Sequence, residues 1–364
     1  MKHLLAIACA SSLLVACTPA SSYHFSTTAA PDDNGKMAYI TDYDTGAKID
    51  SVVVGENAIV FEGSVREPIV ARLIVDGKRR GTFILENDSI SFDAERRLPS
   101  GTPMNDRLSR LFVEADSIES LIDLYTDSAR IDNKYNQRVN DLTEAYKRLF
   151  DDAYRENQGN VLGFYAFYQM TFDMTEQEVI DAVRQNELLK RYSRISKLLD
   201  SYSIRNATSA GKPFVNFKVA YNDTIYRLSD YLAKGNYTLV DFWASWCGPC
   251  IRETKVIKDI YKKYNGKGLD VLGVAVWDEP HNTLDAINSH ELKWKHIINS
   301  QNIATDAYGI LSIPHLILFD PEGTIVARGM TGDSLRTIVD REVAKWVPAP
   351  APSDSTKTET NATK

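Results

Sequence analysis

One stretch constrains this chain more than any other: Leu239-Val240-Asp241-Phe242-Trp243-Ala244-Ser245-Trp246-Cys247-Gly248-Pro249-Cys250. Its apolar and aromatic opening reads as a buried strand. A turn follows at Ser245-Trp246, and Pro249 suits the first turn of a helix, where its missing N–H costs nothing. That helix is predicted to run to about Tyr264. Cys247 then sits at a helix N-terminus, where unpaired backbone N–H groups and the helix dipole stabilise a thiolate. Cys250 lies one turn in, on the same side and within disulfide reach. The segment must fold as strand, turn and helix, with one activated sulfur and a second placed to attack it.

The chain has 364 residues and four cysteines: Cys9, Cys17, Cys247 and Cys250. Four could make two disulfides, but their positions argue otherwise. Lys2 and His3 give a basic start to an apolar run from Leu4 to Ala16, broken only by Ser11 and Ser12. The run is shorter than the roughly 20 residues a bilayer span needs, so it reads as an export signal. It ends Leu14-Val15-Ala16-Cys17, which resembles the lipobox of bacterial lipoproteins. The resemblance implies cleavage before Cys17 and a lipid anchor on it; an ordinary secretory signal is the alternative. On this reading residues 1–16 are removed with Cys9, and the body faces the oxidising periplasm, tethered to a membrane. Only Cys247 and Cys250 keep free sulfur chemistry. A ring closed across three positions removes little denatured-state entropy, so a structural staple explains the pair poorly. Half a zinc site is a further use of two cysteines, but zinc takes four ligands. His24, His281, His290, His296 and His315 have no ligand-like spacing, and no metal is expected.

Along the rest of the chain the hydrophobic period changes twice. Residues 17–22 read as a tether, and 23–100 show short alternating apolar runs such as Ile69 to Val75. Asp76-Gly77 and Asp32-Asp33-Asn34-Gly35 mark tight turns, so this part is expected to be an antiparallel β domain. From 101 to 208 the spacing is helical: Leu108, Leu111 and Phe112, then Leu142, Tyr146, Leu149 and Phe150. The aromatic group Phe164, Tyr165, Phe167 and Tyr168 is assigned to packing between helices rather than to a ligand surface. A Gly- and Pro-containing hinge at 207–213 leads into residues 209–346, where strands alternate with helices. The end, 347–364, is Pro/Ala- then Ser/Thr/Lys-rich and reads as a disordered tail. With a net charge of −7 and no basic block, nucleic acid is not an expected partner.

The C-terminal third resembles thioredoxin. Trp246-Cys247-Gly248-Pro249-Cys250 matches the thioredoxin active site, and Val240-Asp241-Phe242-Trp243 matches the strand before it. Tyr308 to Pro314 looks like the thioredoxin loop that ends in a cis-proline, followed by the strand Leu316 to Phe319 and then Arg328-Gly329. The longer segment Asp278 to Ser300, and Glu253 three residues after Cys250, are similar to the TlpA/ResA-like branch of membrane-tethered extracytoplasmic proteins. Residues 23–100 resemble the small β domain of unknown function that often precedes such domains. Lys255 departs from the family, which has a helix-kinking proline there.

The resemblance implies an α/β thioredoxin fold at the C-terminus, behind a small antiparallel β domain and a helical region. It assigns Cys247 as nucleophile, Cys250 as resolving cysteine, and Asp241 as the group that exchanges a proton with Cys250. Desolvation within an apolar strand raises a carboxyl pKa, which fits that role; a surface-facing Asp on an edge strand is the alternative. Ile313 and Pro314 would pair with substrate backbone as an added strand, with Trp246, Gly248 and Pro249 completing the substrate surface. No role is assigned to His315. The expected activity is thiol-disulfide exchange, mainly reduction of extracytoplasmic protein disulfides, with a membrane electron donor and no bound cofactor. Two other classes are weighed. A peroxiredoxin-like peroxidase would carry Thr or Ser three residues before its cysteine, where this chain has Ala244. A non-catalytic binding lipoprotein is the third.

Overall fold

The computed structural model describes residues 22–232 and 234–348. The leader, Cys17 and the tail beyond residue 348 lie outside the described residues. Two compact units divide between Ser196 and Lys197.

The N-terminal unit begins with eight strands: β1 (Tyr23–Thr28), β2 (Met37–Asp42), β3 (Lys48–Val53), β4 (Ala58–Gly63), β5 (Ile69–Val75), β6 (Lys78–Leu85), β7 (Ser89–Asp93) and β8 (Leu98–Ser100). They form two four-stranded sheets, β4-β1-β7-β8 and β3-β2-β5-β6. Alternation decides the faces. Ala71, Leu73 and Val75 of β5 join Phe25, Phe61, Phe83 and Phe92 in one core between the sheets, while Arg72 points the other way. The expected turn at Asp76-Gly77 closes the β5–β6 hairpin, both residues having positive φ. One pairing differs from the antiparallel expectation: β1 and β7 run parallel, His24 opposite Ser89. Such a pair needs a long crossover, which the intervening strands of the second sheet provide.

Helices α1 (Pro103–Ala129), α2 (Asn136–Glu156), α3 (Val161–Met170) and α4 (Glu176–Gln185) follow. Caps set their starts: Thr102 accepts from the Asn105 N–H, Asn160 from Leu162 and Gly163, and Thr175 forms a capping box with Glu178. Of the expected aromatic packing group, Phe164 and Phe167 are buried in the helical layer. Tyr165 and Tyr168 instead line a cavity described below.

Helix α5 (Ser193–Ala207) spans the division between units, ten residues before the expected hinge. From Lys197 on it belongs to the C-terminal unit and packs within it. Gly309, at φ +59°, lies so close to Ser201 that a Cβ there would come within 2.3 Å of the Ser201 carbonyl oxygen. Thr208 accepts from the Arg328 guanidinium through both its carbonyl, at 3.0 Å, and its hydroxyl, at 2.7 Å.

The C-terminal unit adds β9 (Lys218–Tyr221), β10 (Thr224–Arg227), β11 (Tyr237–Trp243), α6 (Gly248–Tyr264), β12 (Leu269–Ala275), α7 (Pro280–Ser289), β13 (Lys295–Ile297), α8 (Ile303–Tyr308), β14 (His315–Phe319), β15 (Ile325–Arg328) and α9 (Gly332–Val343). Its sheet has the order β13-β12-β11-β14-β15; the first three strands are parallel, β14 is antiparallel to β11, and β15 is antiparallel to β14. β11 is central and buried along its whole length, as its mostly apolar sequence allows, with Thr238 and Asp241 the polar exceptions. One face packs on Ile257 and Ile260 of α6 and Leu335 and Val339 of α9. The other meets Phe217, Leu228, Ala304 and Tyr308. Each fully buried Val, Leu, Ile or Phe among them contributes about 1.5–3 kcal/mol of transfer free energy. The segment 278–300 forms α7 and β13, which extends the sheet beside β12. α6 runs unbroken through Lys255.

Candidate active site

Strand β11 delivers the chain to the top of the sheet, where Cys247 caps α6 with extended backbone and Pro249 occupies the first turn. The Cys250 N–H donates to Cys247 Sγ at 3.1 Å, and Ile251 N–H donates to the Cys247 carbonyl at 3.0 Å. The two sulfurs are joined in a disulfide, with Cα atoms 5.2 Å apart. Cys250 is 1% exposed and Cys247 4%. Gly248 and Pro249 are exposed beside them, and Trp246 stands 61% exposed.

Asp241 is on the central strand, opposite Gly273 of β12 and Leu316 of β14, so the edge-strand alternative does not hold. It is 2% exposed, and its Oδ1 has no hydrogen-bond partner. Burial pushes its carboxyl up to about 8, and the nearby Glu253 charge adds to the shift. Glu253 is fixed on α6 by the Gly332 N–H, which donates to its Oε1 at 2.8 Å.

The Ile313–Pro314 peptide is cis. Ile313 packs against the same apolar cluster that contains Cys247, Cys250, Trp243 and Ala244, so this loop and the dithiol are brought together. Leu311, in the same loop, is exposed and apolar. His315, left without a role, is held by Arg328 Nε at 3.2 Å. Burial, then the charges of Arg328 and Arg205, push its pKa down to about 4, so it stays neutral in ordinary buffers.

Sequence reasoning missed the support of the active-site turn. Asp278, buried in the loop after β12, accepts from the Ser245 N–H at 2.7 Å, the Ser245 hydroxyl at 2.9 Å and the Thr283 hydroxyl at 2.8 Å. Trp246 Nε1–H donates to the Trp277 carbonyl at 2.9 Å. The inserted segment thus clamps the turn that presents Cys247. Its one signal in the sequence was its length.

This site can pass two electrons between its own sulfur pair and another, with a buried acid to move a proton. That arrangement, on this sheet, defines a thioredoxin-fold dithiol-disulfide enzyme. Residues 210–328 match the model of the AhpC/TSA family, and residues 23–108 match a domain of unknown function, DUF4369. The chain is 27% identical over 146 residues to the thiol-disulfide oxidoreductase ResA of Bacillus subtilis, covering 38% of this chain and 80% of that one. It is 31% identical over 100 residues to ResA of Geobacillus thermodenitrificans, covering 28% and 56%. Among solved structures, the thioredoxin domain of a thiol-disulfide oxidoreductase from Bacteroides vulgatus is 29% identical, covering 37% of this chain and 98% of that one at a TM-score of 0.34. The protein is a thiol-disulfide oxidoreductase; its C-terminal domain is similar to the ResA/TlpA-like thioredoxin proteins, and its N-terminal region matches the DUF4369 model.

Proposed function

We propose that this oxidoreductase is lipid-anchored at Cys17, faces the periplasm, and reduces disulfides of extracytoplasmic proteins. The observation that carries the reading is the Cys250 N–H aimed at Cys247 Sγ on a helix N-terminus. In the reduced protein that donor and the helix dipole favour a Cys247 thiolate. The thiolate attacks a substrate disulfide; one S–S bond forms, the substrate's breaks, and one substrate sulfur leaves as thiolate. Cys250 gives its proton to the Asp241 carboxylate and attacks Cys247 Sγ. The second substrate sulfur leaves and is protonated, and two electrons have passed to the substrate. Substrate backbone pairs beside Ile313 and Pro314, and Trp246, Gly248, Pro249 and exposed Leu311 supply the apolar rim. A membrane electron donor then reduces the Cys247–Cys250 disulfide.

A Cys250→Ser variant stalls the first step. In an extracytoplasmic extract it is expected to accumulate mixed disulfides that dithiothreitol releases and that Cys247→Ser does not form. Their absence would sink the mechanism. Direction is read from the reduction potential: a value close to thioredoxin's, about −270 mV, supports reduction, and one above about −180 mV assigns an oxidase or isomerase instead. The AhpC/TSA match invites the peroxidase reading, but the buried Ala244 offers a peroxide no hydroxyl. Fast peroxide turnover needing only Cys247 would reverse that choice.

A further inference from the structure

The outer face of the β3-β2-β5-β6 sheet and helices α1 to α3 border a cavity of about 860 Å³, within the roughly 300–1,000 Å³ typical of small-molecule sites. All its lining residues belong to the N-terminal unit. The wall is basic. Arg72 comes from β5, Arg79 and Arg80 from β6, Arg96 and Arg97 from the β7–β8 turn, and Arg194 from the start of α5. Arg80 is paired with Asp33 at 2.7 Å. The other five form no ion pair among the described residues.

Arg72 is half-buried, and its Nε is shielded from solvent with no hydrogen-bond partner. Burial, then the charge of Arg194, push its pKa down. Both guanidiniums lie over the Tyr43 ring, Arg72 at 4.5 Å and Arg194 at 4.4 Å, and Arg194 also lies 5.2 Å from the centroid of Tyr168. Tyr165 meets Tyr43 edge-on at 5.5 Å. Two carboxylates, Asp116 and Glu119 of α1, also line the cavity; both are exposed, and Glu119 is engaged with the Tyr146 hydroxyl. A part-desolvated cation is costly without a counter-charge, and planar guanidiniums match oxyanions in bidentate fashion.

We propose that this cavity binds a small organic oxyanion, a carboxylate or phosphate ester whose planar or apolar body lies against the tyrosine rings. The site is independent of the disulfide chemistry and gives the N-terminal unit a ligand of its own. Calorimetric titration of the full chain with phenyl phosphate, phenylacetate, inorganic phosphate and phenol tests it. Phenyl phosphate or phenylacetate is expected to bind saturably and more tightly than inorganic phosphate or phenol. Arg72→Gln and Arg79→Gln should each weaken that binding roughly tenfold, with disulfide reduction unchanged. Arg79 is exposed and makes no ion pair, so its variant keeps the test valid if Arg72→Gln does not fold. No saturable binding of either aromatic anion at millimolar concentration would overturn the proposal, as would binding that both variants leave unchanged.

Discussion

Asp241 has one oxygen without a partner inside the central strand, and this dictates how the protein responds to pH. Its carboxyl ionises near 3.8 in an unfolded chain and near 8 in the fold. Between those values the native state holds a proton that the unfolded state has lost. The stabilising contribution is therefore complete below about pH 4 and is lost as the pH rises to about 8, at roughly 1.4 kcal/mol per pH unit. Denaturant midpoints of the oxidised protein should fall between pH 5 and pH 8, and Asp241→Asn should remove most of that slope. The same variant should slow the resolving step roughly a hundredfold, the low end for a lost general base. It should also erase any inflection near pH 8 in single-turnover rates. An unchanged profile would leave Asp241 a structural residue.

At the scale of elements, the turn between β11 and α6 depends on a loop two elements away in sequence. Asp278→Ala removes a buried carboxylate and strands the Ser245 N–H and the Thr283 hydroxyl. It is expected to cost about 3 kcal/mol in chemical denaturation, while Ser245→Ala costs about 1. This contrast also marks what the sequence discloses. β11 and the Pro249 helix start are legible because local composition and spacing fix them, and the Ile313-Pro314 loop through its resemblance to thioredoxin. The Asp278 clamp is not, since nothing near residue 278 says which turn it will meet. The parallel β1–β7 pair was hidden for the same reason: pairing across sixty residues leaves no local period. Helical spacing shows which residues share a face, not what faces them, so on sequence alone Tyr165 and Tyr168 belong with the packing residues. The arginines that meet them come from four separate elements.

For the whole molecule, the units divide inside a helix, and this changes where the enzyme can be cut. The Ser201–Gly309 approach and the Thr208–Arg328 hydrogen bonds place the end of α5 within the thioredoxin fold. A fragment of residues 193–348 is expected to reduce a small disulfide peptide at the full chain's rate. One starting at residue 210 should lose about 2 kcal/mol or more, because Arg328 loses two hydrogen bonds. Equal melting temperatures for the two fragments would refute that boundary. The DUF4369 match covers all eight strands of the two sheets and the start of α1, while the basic cavity also draws on the rest of α1, on α2 and α3, and on Arg194. Its chemistry therefore belongs to the assembled N-terminal unit. The near-complete burial of Cys250 has a kinetic consequence. Displacement at sulfur requires three sulfurs in line, and Cys247, the less buried of the two and flanked by exposed Trp246 and Gly248, is the one placed to receive an outside one. Donor and substrate must then use the same approach in turn and can never be bound together. Steady-state turnover should follow a ping-pong law, with parallel double-reciprocal lines when donor and substrate are varied. Intersecting lines would mean a second entrance to the disulfide.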